Sequence, residues 1–214
     1  MRTIAVINAK GGCGKTTIAT SLAAALAWEG HAVALGDTDP QRLALEWLML
    51  RPDDYPPVMP VRPRRGRLYA PPEADTLVID TPAGLRGAEL GNLLRRSHTV
   101  LVPVLPSPVD MRAAWRFVGQ LAKLKPVTTG QVRVGLVANR VRPHTLVFRE
   151  LTGFLDDFRV PVIGHLRASM NYLRAFEQGL SVSDLPYWQA GQDWDEWETL
   201  LQWIRSEDSI GTGA

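Results

Sequence analysis

Short apolar, β-branched runs alternate with stretches of helical periodicity along almost the whole chain. That alternation predicts repeated βα units around a parallel sheet. TIAVIN (3–8), HAVALGD (31–37), TLVID (76–80), HTVLVPVL (98–105), VRVGLVAN (132–139) and VPVIGHL (160–166) read as strands. Between them, apolar residues recur at helical spacing: Ile18, Leu22, Ala25 and Leu26 within 16–29, ended by Gly30. Helices are also predicted over 41–50 and 85–96. Ser107-Pro108-Val109-Asp110 reads as a helix start, with Ser at the cap, Pro in the first turn and Asp three residues after the cap. Met111, Ala114, Trp115, Val118, Leu121 and Ala122 then line one face. Val147, Leu151, Phe154, Leu155 and Phe158 mark another helix, and Trp194, Trp197, Leu201 and Ile204 a stripe on the last, 191–205. The expected fold is α/β: a mostly parallel, twisted sheet with helices on both faces, formed by all 214 residues as one domain.

One stretch breaks the alternation. Residues 51–75 hold seven of the sixteen prolines and the run RPRRGR (62–67). An irregular, exposed excursion is expected there, with one short strand at Val58–Val61. Net charge is only +2, yet the cations are lopsided: 20 arginines against 4 lysines. GC-rich codon usage accounts for such a bias, and so does a cluster of arginines that touches phosphates. A single cysteine excludes a disulfide framework or a cysteine-rich cluster within one chain. The opening MRTIAVINAK lacks the layout of a signal peptide, and no apolar run reaches membrane-spanning length, so a cytoplasmic protein is expected.

The chemistry starts between the first strand and the first helix. Ala9-Lys10-Gly11-Gly12-Cys13-Gly14-Lys15-Thr16 follows the P-loop pattern G-x-x-x-x-G-K-[ST], with Ala9 in place of the first glycine. Gly11, Gly12 and Gly14 let backbone N–H groups close around an anion, which the following helix N-terminus also favours. Lys15 is expected to reach the β- and γ-phosphates of a nucleotide, and the Thr16 hydroxyl to bind Mg²⁺.

KGGCGKTT (10–17) resembles the deviant Walker A motif, KGGxGK[ST]T, of the ParA/MinD superfamily of P-loop ATPases. The resemblance implies ATP as cofactor, held by residues 10–17 including Cys13 and Thr17. It also explains the second lysine: Lys10 reaches across an ATP-sandwiched dimer to the partner's nucleotide, as an arginine finger completes a phosphoryl-transfer site. Asp37-Thr38-Asp39-Pro40-Gln41 is similar to the family's D-x-D-P-Q, which implies that Asp39 orients the hydrolytic water and that Asp37 lies near the metal shell. Two aspartates at a turn also suit the capping of the next helix. VIDTPAG (78–84) resembles the Walker B segment, with Asp80 contacting Mg²⁺ through water. PSPVD (106–110) is similar to a proline-bearing loop at the family's dimer interface, and Asn139-Arg140 to the segment that meets adenine.

The length is closest to the small ParF-like partition ATPases. Cys13 is the only cysteine, so a nitrogenase-type iron protein is excluded, and the C-terminal DWDEWETLLQWIRSEDS (193–209), with six acids and one arginine, does not suit a MinD-like membrane helix. The resemblance implies a weak Mg²⁺-dependent ATPase, dimeric with ATP, that binds nucleoid DNA without sequence preference. A ParB-like adaptor would stimulate hydrolysis, and the cycle would position a cargo: a plasmid, a chromosome, a carboxysome or a chemoreceptor cluster. Arg140, Arg142, Arg149, Arg167, Arg174 and RPRRGR are the candidate DNA contacts; the last is equally open to a partner contact or to neither. A small-molecule ligase on the same scaffold and a membrane-associated regulator are the rival readings.

Overall fold

The computed structural model describes residues 1–64, 67–142, 145–156 and 160–212, the side chains at 147, 148, 152, 155 and 156 excepted. Arg65 and Gly66 of the arginine run, Phe158, and the side chains of Val147 and Leu155 therefore lie outside the described residues.

The apolar runs join in one seven-stranded parallel sheet. In chain order the elements are β1 (Arg2–Val6), α1 (Lys15–Trp28), β2 (Val33–Asp37), α2 (Leu43–Leu50), β3 (Met59–Val61), β4 (Thr76–Asp80) and α3 (Gly87–Leu94). There follow β5 (Thr99–Val104), α4 (Pro108–Leu121), the single-turn α5 (Lys125–Thr128), β6 (Arg133–Val141), α6 (Leu146–Asp156), β7 (Val162–Arg167), α7 (Met170–Phe176) and α8 (Tyr187–Arg205). The spatial order β3-β2-β4-β1-β5-β6-β7 puts β1 at the centre, with β2, β3 and β4 on one side and β5, β6 and β7 on the other. The crevice outside the carboxyl end of such a central strand is where α/β sheets hold ligands, and here it falls on the glycine loop.

Both faces of the sheet are covered, which is why its strands are apolar without alternation. Ile4 and Val6 of β1 pack toward α1, α2 and α8, while Ala5 and Ile7 pack toward α3, α4 and α6. α1 is buried along nearly its whole length, from Ile18 to Ala27. Its small alanines let it lie in the middle of that layer, so the four-residue stripe expected from periodicity was too narrow.

The largest departures from the sequence reading lie near the C-terminus. Residues 168–186 carried no predicted element, yet they hold α7, capped by the Ser169 hydroxyl, and a 3-10 turn at Val182–Asp184. α8 begins at Tyr187 rather than at residue 191. Trp115, expected on the buried face of α4, is 48% exposed and meets the ring of Phe154. No described helix is long and apolar enough to cross a membrane.

His98, just before β5, accepts the Thr3 backbone N–H on Nδ1 at 3.0 Å. Burial, with the N-terminus and Arg2 nearby, holds this imidazole below its ordinary value. Its folded pKa thus lies below its unfolded one, near 6.5. The contribution is complete above that value and is lost as pH falls through it toward the folded pKa. The urea midpoint is expected to fall modestly from about pH 7.5 to about pH 5.5. His98→Asn, which keeps an acceptor but does not titrate, is expected to flatten the fall; an unchanged slope would discard this account.

Candidate functional site

Residues 7–14 run over the carboxyl end of β1 into α1. Gly12 has φ 76° and Gly14, the residue before the helix, φ 92°, both in the left-handed region where a side chain strains the backbone. A Cβ at Gly14 would also fall on the Asn139 amide. That amide donates from Nδ2 to the Cys13 carbonyl at 2.8 Å, so the end of β6 is tied directly to the loop.

Asn8, which the sequence reading passed over, sets the path of the loop. Its Nδ2 donates to the Pro103 carbonyl at 2.6 Å and its Oδ1 accepts the Lys10 N–H at 3.1 Å. A polar residue ending an apolar strand just before a glycine run was the available signal. Cys13 is buried, burial pushes its thiol pKa up, and its Sγ lies 3.4 Å from the Lys10 carbonyl. It fills space.

The two lysines have different surroundings. Lys15, the first residue of α1, is 7% exposed, and no carboxylate lies within ion-pair distance among the described residues. Lys10 is 39% exposed in its side chain and pairs with Asp110 at 2.6 Å. Asp110 sits in the first turn of α4, where the Ser107 hydroxyl accepts its N–H at 3.2 Å and bonds its carboxylate. Burial opposes ionisation of Asp110, but the hydrogen bonds from Lys10 and Ser107 prevail and hold it below the usual carboxylate range.

Beside the loop, the Thr16 hydroxyl donates to Asp80 Oδ2 at 2.7 Å. Asp80 ends β4 fully buried, and burial pushes its pKa up to about 7 against the pull of the Thr16 bond. A hydroxyl and a buried carboxylate side by side suit Mg²⁺, which keeps waters and phosphate oxygens for its other positions. Among the described residues no group of three or more His, Cys, Asp or Glu forms a site that would hold a metal without such help.

Asp37 is placed differently. It is buried at the end of β2, its Oδ1 accepts the Asp39 N–H at 2.9 Å, and its Oδ2 accepts those of Ala44 and Leu45 at 3.0 and 3.4 Å. Burial pushes its pKa up, with those amides opposing. It thus organises the start of α2, while Asp39, half-buried, accepts the Gln41 N–H at 2.9 Å. Thr38 joins the two carboxyl strand ends, its N–H and hydroxyl both donating to the Asp80 carbonyl at 3.0 Å.

A cavity of about 530 Å³ opens next to Thr16 and Thr17, walled by Asn139, Arg140, Tyr172 and Phe176. Its volume is within the range of small-ligand sites. Two walls come from α7, whose Ser169 cap and apolar spacing at Tyr172, Ala175 and Phe176 were readable signals. Arg167 does not stand free for DNA: it pairs with Asp193 at 2.6 Å, and that carboxylate, fully buried, also receives Asn171 Nδ2 at 2.7 Å. The arginine neutralises a buried charge at the α8 interface.

Residues 4–182 match the family described as CobQ/CobB/MinD/ParA nucleotide binding domain. The chain is 32% identical over 190 residues to maintenance of carboxysome distribution protein A of Halothiobacillus neapolitanus, covering 86% of this chain and 87% of that one. The protein of the same name from Gloeobacter kilaueensis is 31% identical over 192 residues, covering 85% of this chain and 83% of its own. Among solved structures, MinD cell division protein of Aquifex aeolicus superposes with a TM-score of 0.72 at 17% identity over 97% of this chain and 98% of its own. A putative plasmid partition protein of Borrelia burgdorferi bound to AMPPNP gives 0.69 at 18%, over 94% and 98%. MinD of Pyrococcus horikoshii complexed with Mg-ADP gives 0.68 at 17%, over 96% of each. At these identities the structures speak for the fold. With its P-loop, its Thr16–Asp80 pair and a family match over most of its length, the chain belongs to the MinD/ParA family of nucleotide-binding P-loop proteins.

Proposed function

We propose that this protein is a ParA-type ATPase that positions a cargo, cycling between an ATP-bound dimer on DNA and a released monomer. The observation that carries the reading is the pair of lysines: one buried at the phosphate end of α1, the other on the loop's outer side, held by one carboxylate. A cation with a purely local task has no reason to stand half-exposed beside a phosphate site already served by Lys15. The carboxysome-distribution relatives favour a protein-assembly cargo over a plasmid.

ATP and Mg²⁺ fit the residues. Backbone N–H groups of residues 11–16 and the Lys15 ammonium would take the phosphates, and Thr16 and Asp80 would stand at the metal, which offsets developing charge on the phosphate oxygens. The cavity beside Thr17 and Asn139 would hold the base. Asp39, beside Thr38 at the mouth of the site, would hold the attacking water, and Asp37 would fix the turn that carries Asp39. Lys10 would leave Asp110 for the partner subunit's nucleotide as the dimer closes. An adaptor would then speed hydrolysis and release the DNA.

Binding to random-sequence duplex DNA, measured with ATP, with ADP and without nucleotide, tests the reading. ATP-only binding, lost in Lys10→Ala together with the dimer in light scattering, is the expected result. DNA binding that ignores nucleotide, or brisk hydrolysis by a strict monomer, would discard it. Asp110→Asn makes a second check: with Lys10 released, half-dimerisation in ATP is expected at a several-fold lower protein concentration. A several-fold higher one would make Asp110 part of the closed interface instead.

A further inference from the structure

The cargo-positioning reading leaves open where DNA would sit, and one candidate is the arginine run on the excursion between β3 and β4. In the structure its flanks turn back on each other. Arg64 N–H donates to the Arg67 carbonyl at 2.7 Å and Arg67 N–H to the Arg64 carbonyl at 3.0 Å, a reciprocal antiparallel pair. Residues paired in this way have Cβ atoms about 5 Å apart, and like charges at such a pair repel. Arg62 adds a third cation at the same hairpin. All three are exposed, and none has an ion pair among the described residues. The arginines that do serve the fold are elsewhere, with Arg51, Arg167 and Arg205 each paired to a carboxylate.

The hairpin is anchored at its base. Leu68 lies over Gly36 of β2, where a Cβ would come within 2.7 Å of its Cδ1. β3 pairs with β2 through Gly36↔Val61, so the chain leaves the sheet at Arg62, at the same carboxyl end as Asp37 and the phosphate loop. Pro63 and Leu68 share a cleft of about 470 Å³ with Thr38 and Pro82, which adjoin the Asp39 and Asp80 segments. A concentrated, uncompensated positive charge is thus fixed beside the nucleotide switch.

We propose that this hairpin, through Arg62, Arg64 and Arg67, is a contact for the phosphate backbone of duplex DNA. Planar guanidinium groups suit phosphate oxygens, and a polyanion relieves the repulsion that the hairpin otherwise carries. The contact reads charge and no sequence. Arg140 and Arg142, the alternative candidates, line the cavity beside the phosphate loop, and Arg149 and Arg174 stand on separate helices.

The inference rests on DNA binding being real, and one titration separates the two. Binding of random-sequence duplex to the full chain with ATP is followed from low to high salt. Wild type is compared with Arg62→Ala/Arg64→Ala/Arg67→Ala and with the charge-matched control Arg133→Ala/Arg149→Ala/Arg174→Ala. Each lost phosphate contact lowers the slope of log K against log salt by about 0.9. The hairpin variant is expected to lose up to about 2.7 in slope, with unchanged melting temperature and basal hydrolysis, and the control much less. An unchanged slope in the hairpin variant, or an equal loss in the control, overturns the assignment while wild-type binding stands. Poly-glutamate displacing DNA at equal charge concentration would mark the surface as one for an acidic protein and overturn it too. No binding by wild type in any nucleotide state removes the cargo-positioning reading itself.

Discussion

Lys15→Gln is expected to lower ATP hydrolysis by about 10²–10³-fold, the range seen when one preorganised charge-stabilising donor is removed from an active site. Lys15 opens α1, where unpaired N–H groups and the helix dipole already favour anions, and its charge is felt at the Asp80 carboxyl, whose pKa it pulls down. On the proposed reading, removing it would take charge stabilisation from the transferring phosphoryl group when that charge is greatest. ATP-dependent dimerisation and DNA binding should fall with it. The fold should not suffer: a 7%-exposed ammonium with no carboxylate partner among the described residues is costly to bury, so the nucleotide-free variant should melt at or above the wild-type temperature. Single-turnover hydrolysis and melting curves check both halves. Near-wild-type hydrolysis would move the phosphate role to another cation, with Lys10 the first to test.

The largest stability effect is expected away from the site, at Asp184. Its carboxylate is fully buried and receives both Arg51 terminal nitrogens at 2.9 and 3.1 Å, Trp28 Nε1 at 2.7 Å and the Ser181 N–H at 2.7 Å. Arg51 also donates to the Pro56 and Gly179 carbonyls and lies over the Trp47 and Tyr55 rings at 5.1 and 5.7 Å. One ion pair therefore joins the end of α1, the end of α2, the start of the excursion and the turn before α8. Asp184→Ala leaves a buried guanidinium without its counter-ion and should cost about 3–5 kcal/mol. For a chain of this size that lowers the melting temperature by on the order of 10 °C. The double variant Arg51→Met/Asp184→Leu should recover most of the loss, because replacing both charges by apolar groups avoids the stranded one. If both variants melt together far below wild type, the packing and ring contacts of Arg51 matter more than the pairing.

These two residues show where reading from sequence stops. The phosphate loop was legible because its chemistry is local: glycines, a lysine and a threonine follow a strand within a few residues, and Gly12 and Gly14 answer backbone angles that only glycine adopts easily. The strands were legible for a related reason, since a sheet covered on both faces demands unbroken apolar runs. Helix boundaries were read to within a few residues where a cap stood in the sequence, as at Ser107. α7 was missed because its seven residues make only about two turns, so the Ser169 cap and the spacing of Tyr172, Ala175 and Phe176 form a short signal beside the tryptophan stripe of α8.

Pairings between distant residues carry no such local signature. Lys10 meets Asp110 one hundred positions on, Arg51 meets Asp184 across 133, and Arg167 finds Asp193 on a helix packed over the sheet. Sequence supplied the charges but not their neighbours, and the neighbours decide the roles. Arg167 became a counter-ion because a buried carboxylate must be paired, while Arg62, Arg64 and Arg67 stay exposed with no ion pair among the described residues. The family resemblance implied Asp37 near the metal shell and Asp39 on the water; the structure shows Asp37 buried and accepting the α2 amides, and Asp39 half-buried beside it. By itself the sequence determined the family, the sheet and the phosphate loop, all products of short-range geometry. Only the tertiary structure decided which charges are paired within the protein and which stay in water, because that depends on which groups the fold removes from water together.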